Sequence, residues 1–239
     1  MHFHLPKPLH GWREFAGEVA IIVIGVLIAL AAQQIVDDWM WKKKAGAARE
    51  DIKTELQESY IDAKERLVVE QCINSQLDRL ALTVTTAKGT VAPVQMVVLH
   101  HLPMIYRTPT RDWKQTSWNS AISDGVRPHL ERTELDKLDL AYSSIESLRG
   151  LDQAVTMAQG NLSVLAHPIE VDPSVKTQLL AAIETERART GRMALDSEQL
   201  VQTLDELGFG APRNEVEERV RVSRKEGTLS WCLSRGLKI

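Results

Sequence analysis

Residues 19–36 read VAIIVIGVLIALAAQQIV, an apolar run of 18 residues whose only polar members are Gln33 and Gln34. At about 1.5 Å of rise per residue such a helix is about 27 Å long, close to the hydrocarbon thickness of a bilayer. A soluble core helix carries a charged stripe, and none is present between Glu18 and Asp37. Trp12 precedes the run, and Trp39 and Trp41 follow it. Trp12 and Trp39 fall about 40 Å apart on one helix, the spacing of aromatic anchors at the two interfaces of a membrane. The expected partner of this segment is therefore the lipid bilayer.

A cleaved signal peptide is the competing reading. Lys7 and Arg13 form a charged leader, and Ala29-Leu30-Ala31 is an acceptable cleavage motif. No helix breaker precedes that motif, however, and the apolar pattern continues through Ile35 and Val36. The reading adopted is an uncleaved signal anchor: a tail over 1–15, a transmembrane helix over 16–36 and a chain that continues as helix.

Beyond the anchor, Ile52, Leu56, Tyr60, Ala63, Leu67, Ile73, Leu77, Leu80 and Val84 recur at helical spacing, with no proline before Pro93. This predicts a stalk helix over 37–86, with coiled-coil character, ended by Lys88-Gly89-Thr90. Residues 87–239 are expected to form a helical bundle domain packing on the stalk, so the fold class is all-α. Within it the sequence predicts a helix around Gln95–Leu102 and another over 112–124, with Gly125 closing it. A third runs from Thr133, paired with Asp136 in a capping-box pattern, to about Ala166. A fourth starts at Asp172-Pro173 and ends near Leu207-Gly208, and a last one starts at Asn214.

On a helical wheel Glu18, Gly25, Ala29, Ala32 and Gln33 share one arc of about 100°. Gly25-x-x-x-Ala29 is a small-x-x-x-small pair of the kind that lets two membrane helices approach closely, with Glu18 and Gln33 able to hydrogen-bond across the contact. The plainer alternative is Glu18 among headgroups and an incidental glycine. Partners expected from this face are a second copy of the chain, giving a homo-oligomer, or another membrane protein.

Other functions find little support. With Lys plus Arg at 29 and Asp plus Glu at 32 the formal charge is −3, and no basic stripe points to nucleic acid. The seven histidines have no zinc spacing, so no metal or cofactor is expected. No nucleophile elbow or phosphate loop is present, and no catalytic residue is assigned. Cys72 and Cys232, the only cysteines, are 160 positions apart. They read either as two unrelated buried thiols or as a disulfide tying the tail to the stalk, which needs an oxidising compartment. Lys42, Lys43, Lys44 and Arg49 after the span, counted alone, favour a cytoplasmic C-terminal domain.

Trp12-Arg13-Glu14-Phe15-x-Gly17-Glu18-Val19, followed by IIVIGVLIALAAQQ, resembles the anchor of a family of uncharacterised single-pass inner-membrane proteins of proteobacteria. The likeness extends to the stalk with Cys72, the Trp118…Gly125 segment and a cysteine close to the C-terminus. It implies an architecture and a cysteine near each of these two positions, and no activity. It turns the expected placement of the domain towards the periplasm. The expected function is a membrane-anchored helical interaction or accessory protein, with a periplasmic sensor signalling through its span as the alternative.

Overall fold

The computed structural model describes residues 12–94, 97–99 and 102–225. A single helix, α1, runs over Trp12–Thr86 without a break. Its 75 residues correspond to about 110 Å. Among the described residues it is the one helix long and apolar enough to cross a membrane, and the apolar window has no residue buried by the rest of the protein. The predicted stalk stripe is buried from Ile52 to Val84, with Leu67 partly so. The distal half of α1 is thus a full member of the bundle core.

The remaining described helices are α2 (Thr116–Ser123), α3 (Arg132–Leu162), α4 (Pro173–Leu207) and α5 (Arg213–Lys225). Side-chain pairs fix their directions. Arg49 meets Glu134 and Glu55 meets Tyr142, so α3 runs parallel to α1. Lys176 meets the Ala87 carbonyl, Asp78 meets Arg187, and Arg66 meets the Thr190 carbonyl, so α4 returns antiparallel between them. α5 climbs α1 again, with Arg219 on Asp62 and Ser223 on Glu65. Leu56, Ile73 and Leu77 of α1, Leu138, Ile145 and Leu148 of α3, and Ile183, Leu200 and Leu204 of α4 form the shared core.

Because α1 and α3 are parallel, the chain between them must travel the length of the bundle. Residues 105–130 do so as a strap descending α1. The Arg107 backbone bonds Gln76, Arg111 meets Glu65, Lys114 meets Glu58, the Ser117 amide meets Glu55, and the Asp124 carbonyl meets Lys44. The expected helix over 112–124 is shortened to α2 for this reason. Extended chain covers about 3.3 Å per residue against 1.5 Å for helix, and the upper strap has few residues for its span.

The helix expected around Gln95–Leu102 is overturned. β2 (Val97–Leu99) and β3 (Leu102–Met104) pair antiparallel there, while β1 (Thr90–Val91) pairs β4 (Ile169–Glu170) at the far end of the bundle. A short apolar run bounded by Pro93 and Pro103 does not distinguish strand from helix by periodicity, and its β-branched valines suit the strand. The α3 cap is corrected too. Glu131, not Thr133, is the N-cap, its carboxylate accepting the Glu134 amide at 2.9 Å. α3 ends at Leu162, and Ser163–Ala166 form a 3-10 turn. The α4 boundaries agree with expectation. Asp172 accepts the Val175 amide at 2.8 Å, and Gly208 closes the helix at φ 69°, a left-handed conformation that penalises any Cβ.

Candidate functional site

Two polar regions line the strap. The lower is a groove of about 500 Å³ between α1 and α2, bounded by Lys44, Asp51, Thr54, Glu58, Lys114 and Ser117 among others. Its walls carry both charges, and Lys114 and Glu58 already pair at 3.0 Å. Glu55 closes its floor, accepting the Tyr142 hydroxyl at 2.7 Å and the Ser117 amide at 2.9 Å. The Tyr142 ring stacks on Trp118 at 5.0 Å.

The upper region is a buried ionic seam where the strap passes between α1, α3 and α5. Glu65, 1% exposed, accepts from Arg111 Nε at 2.7 Å and from the Ser223 hydroxyl. Asp62 takes Arg219 and, at 3.4 Å, Arg111. The Arg111 amide bonds Asp152 at 3.0 Å. Deeper in, Arg66 donates to the Thr190 carbonyl at 2.7 Å and pairs with Glu70 at 3.0 Å. Burial pushes the Arg66 guanidinium down, opposed by Glu70 and Asp152. Tyr106 donates to Glu186 at 2.6 Å. The strap, α4 and α5 are thereby pinned to one stretch of α1, and α3 is tied in through the Arg111 amide on Asp152.

Burial pushes the Asp62 carboxyl up to about 6, against the lowering influence of Arg219 and Arg111 and with Glu65 raising it further. An acid whose folded pKa lies above its unfolded value binds protons more readily when folded. Asp62 alone therefore makes stability fall as pH rises from about 4 through 6, and its ionised form is penalised above that range. The expected result is that Asp62→Asn gains melting temperature relative to the wild type between pH 5 and pH 7. Parallel thermal melts across that range check it, and a constant difference between the two proteins would refute it.

The residues singled out from sequence divide sharply. Glu18, Gly25, Ala29, Ala32 and Gln33 lie on the exposed part of α1, and nothing stands within 4 Å of a Cβ built on Gly25. Trp12 and Trp39 are 80% and 64% exposed. Trp41 is turned into the bundle instead, stacked on His129 at 4.0 Å with the Lys44 ammonium over its ring at 5.1 Å. Cys72 is buried on α1 and is not a free thiol, whereas Cys232 lies outside the described residues. So do His2, His4, His10, His100 and His101. Among the described residues no group of three or more His, Cys, Asp or Glu is placed to hold a metal ion.

Sequence reasoning missed the seam. Asp62, Glu65, Arg66, Arg111 and Arg219 look like solvated helix and loop charges when read locally. At about 100° per residue Arg66 falls within the apolar stripe and Asp62 at its edge, a signal available in the sequence, whereas Glu65 falls about 160° from Ala63, where a solvated charge is expected. No family model, no curated protein and no solved structure matches this chain.

Proposed function

We propose that this protein is a single-pass, membrane-anchored helical interaction protein, an accessory or scaffold subunit of the bacterial inner membrane. The observation that carries this reading is α1 itself, a helix whose first part is wholly exposed and apolar while its second part forms the core of a bundle. An exposed face of this size is unstable in water and suits lipid. The expected contact surface within the membrane is Glu18, Gly25, Ala29, Ala32 and Gln33, and a second copy of the chain is the simplest partner. The family that the anchor resembles supports this architecture.

A periplasmic domain is favoured over a cytoplasmic one by the cysteine pair, given the oxidising compartment a disulfide needs. Lys44, counted against that placement, has a use within the fold: its ammonium donates to the Asp124 carbonyl at 2.8 Å and covers Trp41. A lysine retained for packing says less about topology.

Gly25→Leu and Ala29→Leu are each expected to reduce helix association while leaving insertion intact. Packing is a main force between helices in lipid, and a branched side chain holds the partner backbone away. Cross-linking in native membranes checks this, and unchanged cross-linking in both variants would rule the face out.

The alternative is a sensor that passes a signal through the span. Its supporting observation is the continuity of α1, which carries Asp62, Glu65 and Arg66 on the same rigid rod as the anchor. A ligand-dependent change in cross-linking across the span would favour it over the scaffold.

A further inference from the structure

The end of the bundle nearest the anchor is a turn rather than a helix end in free solution. α2 ends at Ser123, Gly125 takes φ 70°, Arg127–His129 form a 3-10 turn, and α3 begins at Arg132. The turn is fastened to α1 where His129 stacks on Trp41 at 4.0 Å and where Lys44 donates to the Asp124 carbonyl at 2.8 Å. Trp41 is five residues beyond Val36, the last apolar residue of the span, and α1 has no break between them. Five residues of helix rise about 7.5 Å. The headgroup layer on each side of the hydrocarbon is about 5–7 Å thick. Asp37, one turn nearer the span on the same helical face as Trp41, is partly buried, while Asp38, Trp39 and Met40 are exposed.

We propose that the turn from Gly125 to Arg132 docks in the phospholipid headgroup layer, holding the bundle at a fixed height against the membrane. This rests on the anchor reading above, since the span sets the height. The chemistry of the turn suits phosphate. Arg127, Pro128, His129 and Arg132 are exposed, as are Lys42 and Lys43 on α1. Arg127 pairs with Asp139 at 2.6 Å and Arg132 with Asp136 at 3.4 Å, with all four side chains at least 42% exposed. Exposed pairs of this kind are weak, so a lipid phosphate can share or replace the carboxylate at little cost. Arg127 also stands over the Trp118 ring at 6.0 Å, which holds it near the turn. The occupant is thus a lipid surface, recognised through its phosphates.

The test uses the full chain in nanodiscs of phosphatidylethanolamine and phosphatidylglycerol, with benzoylphenylalanine placed singly at four positions. Pro128 and Thr133 probe the turn, so that one failed variant leaves the other informative. Leu27 probes the anchor, and Ser75, about 60 Å along α1 from Val36, probes the far end. After irradiation the expected result is a mass increase of one phospholipid at 128, 133 and 27, and none at 75. Adducts at 27 without either turn position would overturn the docking and leave the anchor reading standing. No adduct at 27 would overturn the anchor reading and this proposal with it. Adducts at 75 as well as at the turn would overturn the fixed height.

Discussion

Glu65→Ala is expected to destabilise the bundle by about 3–5 kcal/mol, the usual cost of removing one partner from a buried ion pair. Glu65 is 1% exposed, and both its oxygens are used: Arg111 holds one at 2.7 Å and the Ser223 hydroxyl holds the other. Truncation leaves the Arg111 guanidinium with Asp62 at 3.4 Å as its remaining carboxylate, beside the Thr110 carbonyl at 2.8 Å, and strips Ser223, itself 6% exposed, of the Glu65 acceptor. The strap and α5 then lose a common attachment to α1. For a chain of this size each kcal/mol corresponds to about 2–4 °C in melting temperature, so a fall of about 10 °C is expected. Glu65→Gln keeps the shape and an acceptor and should cost less. Glu58→Ala, which breaks the exposed pair with Lys114, should cost under about 1 kcal/mol. Denaturant melts in a mild detergent decide the matter. Equal effects for Glu65→Ala and Glu58→Ala would mean that the buried seam does not tie the bundle together.

Cys72→Ser is expected to have an effect of similar size if, as proposed, Cys72 pairs with Cys232 in an oxidising compartment. Closing a loop of 160 positions removes chain entropy from the unfolded state worth about 5 kcal/mol, less any strain in the folded state. α5 is already directed towards such a partner: Arg219 lies at Asp62 and Ser223 at Glu65, so the chain climbs α1 towards Cys72. Cys72 is 2% exposed on the core side of α1, which makes it inert to outside thiols without unfolding. Reductant under partly denaturing conditions should lower the melting temperature of the wild type and leave Cys72→Ser unchanged. Alkylation in freshly denatured cells without reduction gives the second readout. Two modified thiols would place the domain in the cytoplasm and remove the disulfide.

The two effects differ in how far they could be foreseen. The cysteine pair was visible as a possibility because only two cysteines exist, and the apolar stripe from Ile52 to Val84 placed Cys72 beside Ile73 on a helix. The partners of Glu65 were invisible. Arg111 is 46 positions away and Ser223 is 158, and neither distance leaves a local signature.

What the sequence by itself determined is whatever depends on neighbours within a turn or two of helix. The apolar run, the absence of proline before Pro93, the Asp172-Pro173 start and the Gly208 stop are local chemistry; α4 follows from them with its observed ends and α1 with its C-terminal end, while α1 already includes Trp12–Phe15, which the sequence assigned to a tail. Where several local solutions are close in energy, the tertiary structure decided. Thr133 and Glu131 can both cap α3, and the position of the first turn selected Glu131. Residues 112–115 can form helix or strap, and the parallel run of α3 beside α1 required a segment long enough to return the chain to the base. Trp41 reads like a membrane anchor, yet His129, 88 positions later, takes its ring into the bundle. The physical reason is common to all three. Local preferences differ by about 1 kcal/mol per residue or less, and a single well-packed long-range contact outweighs them.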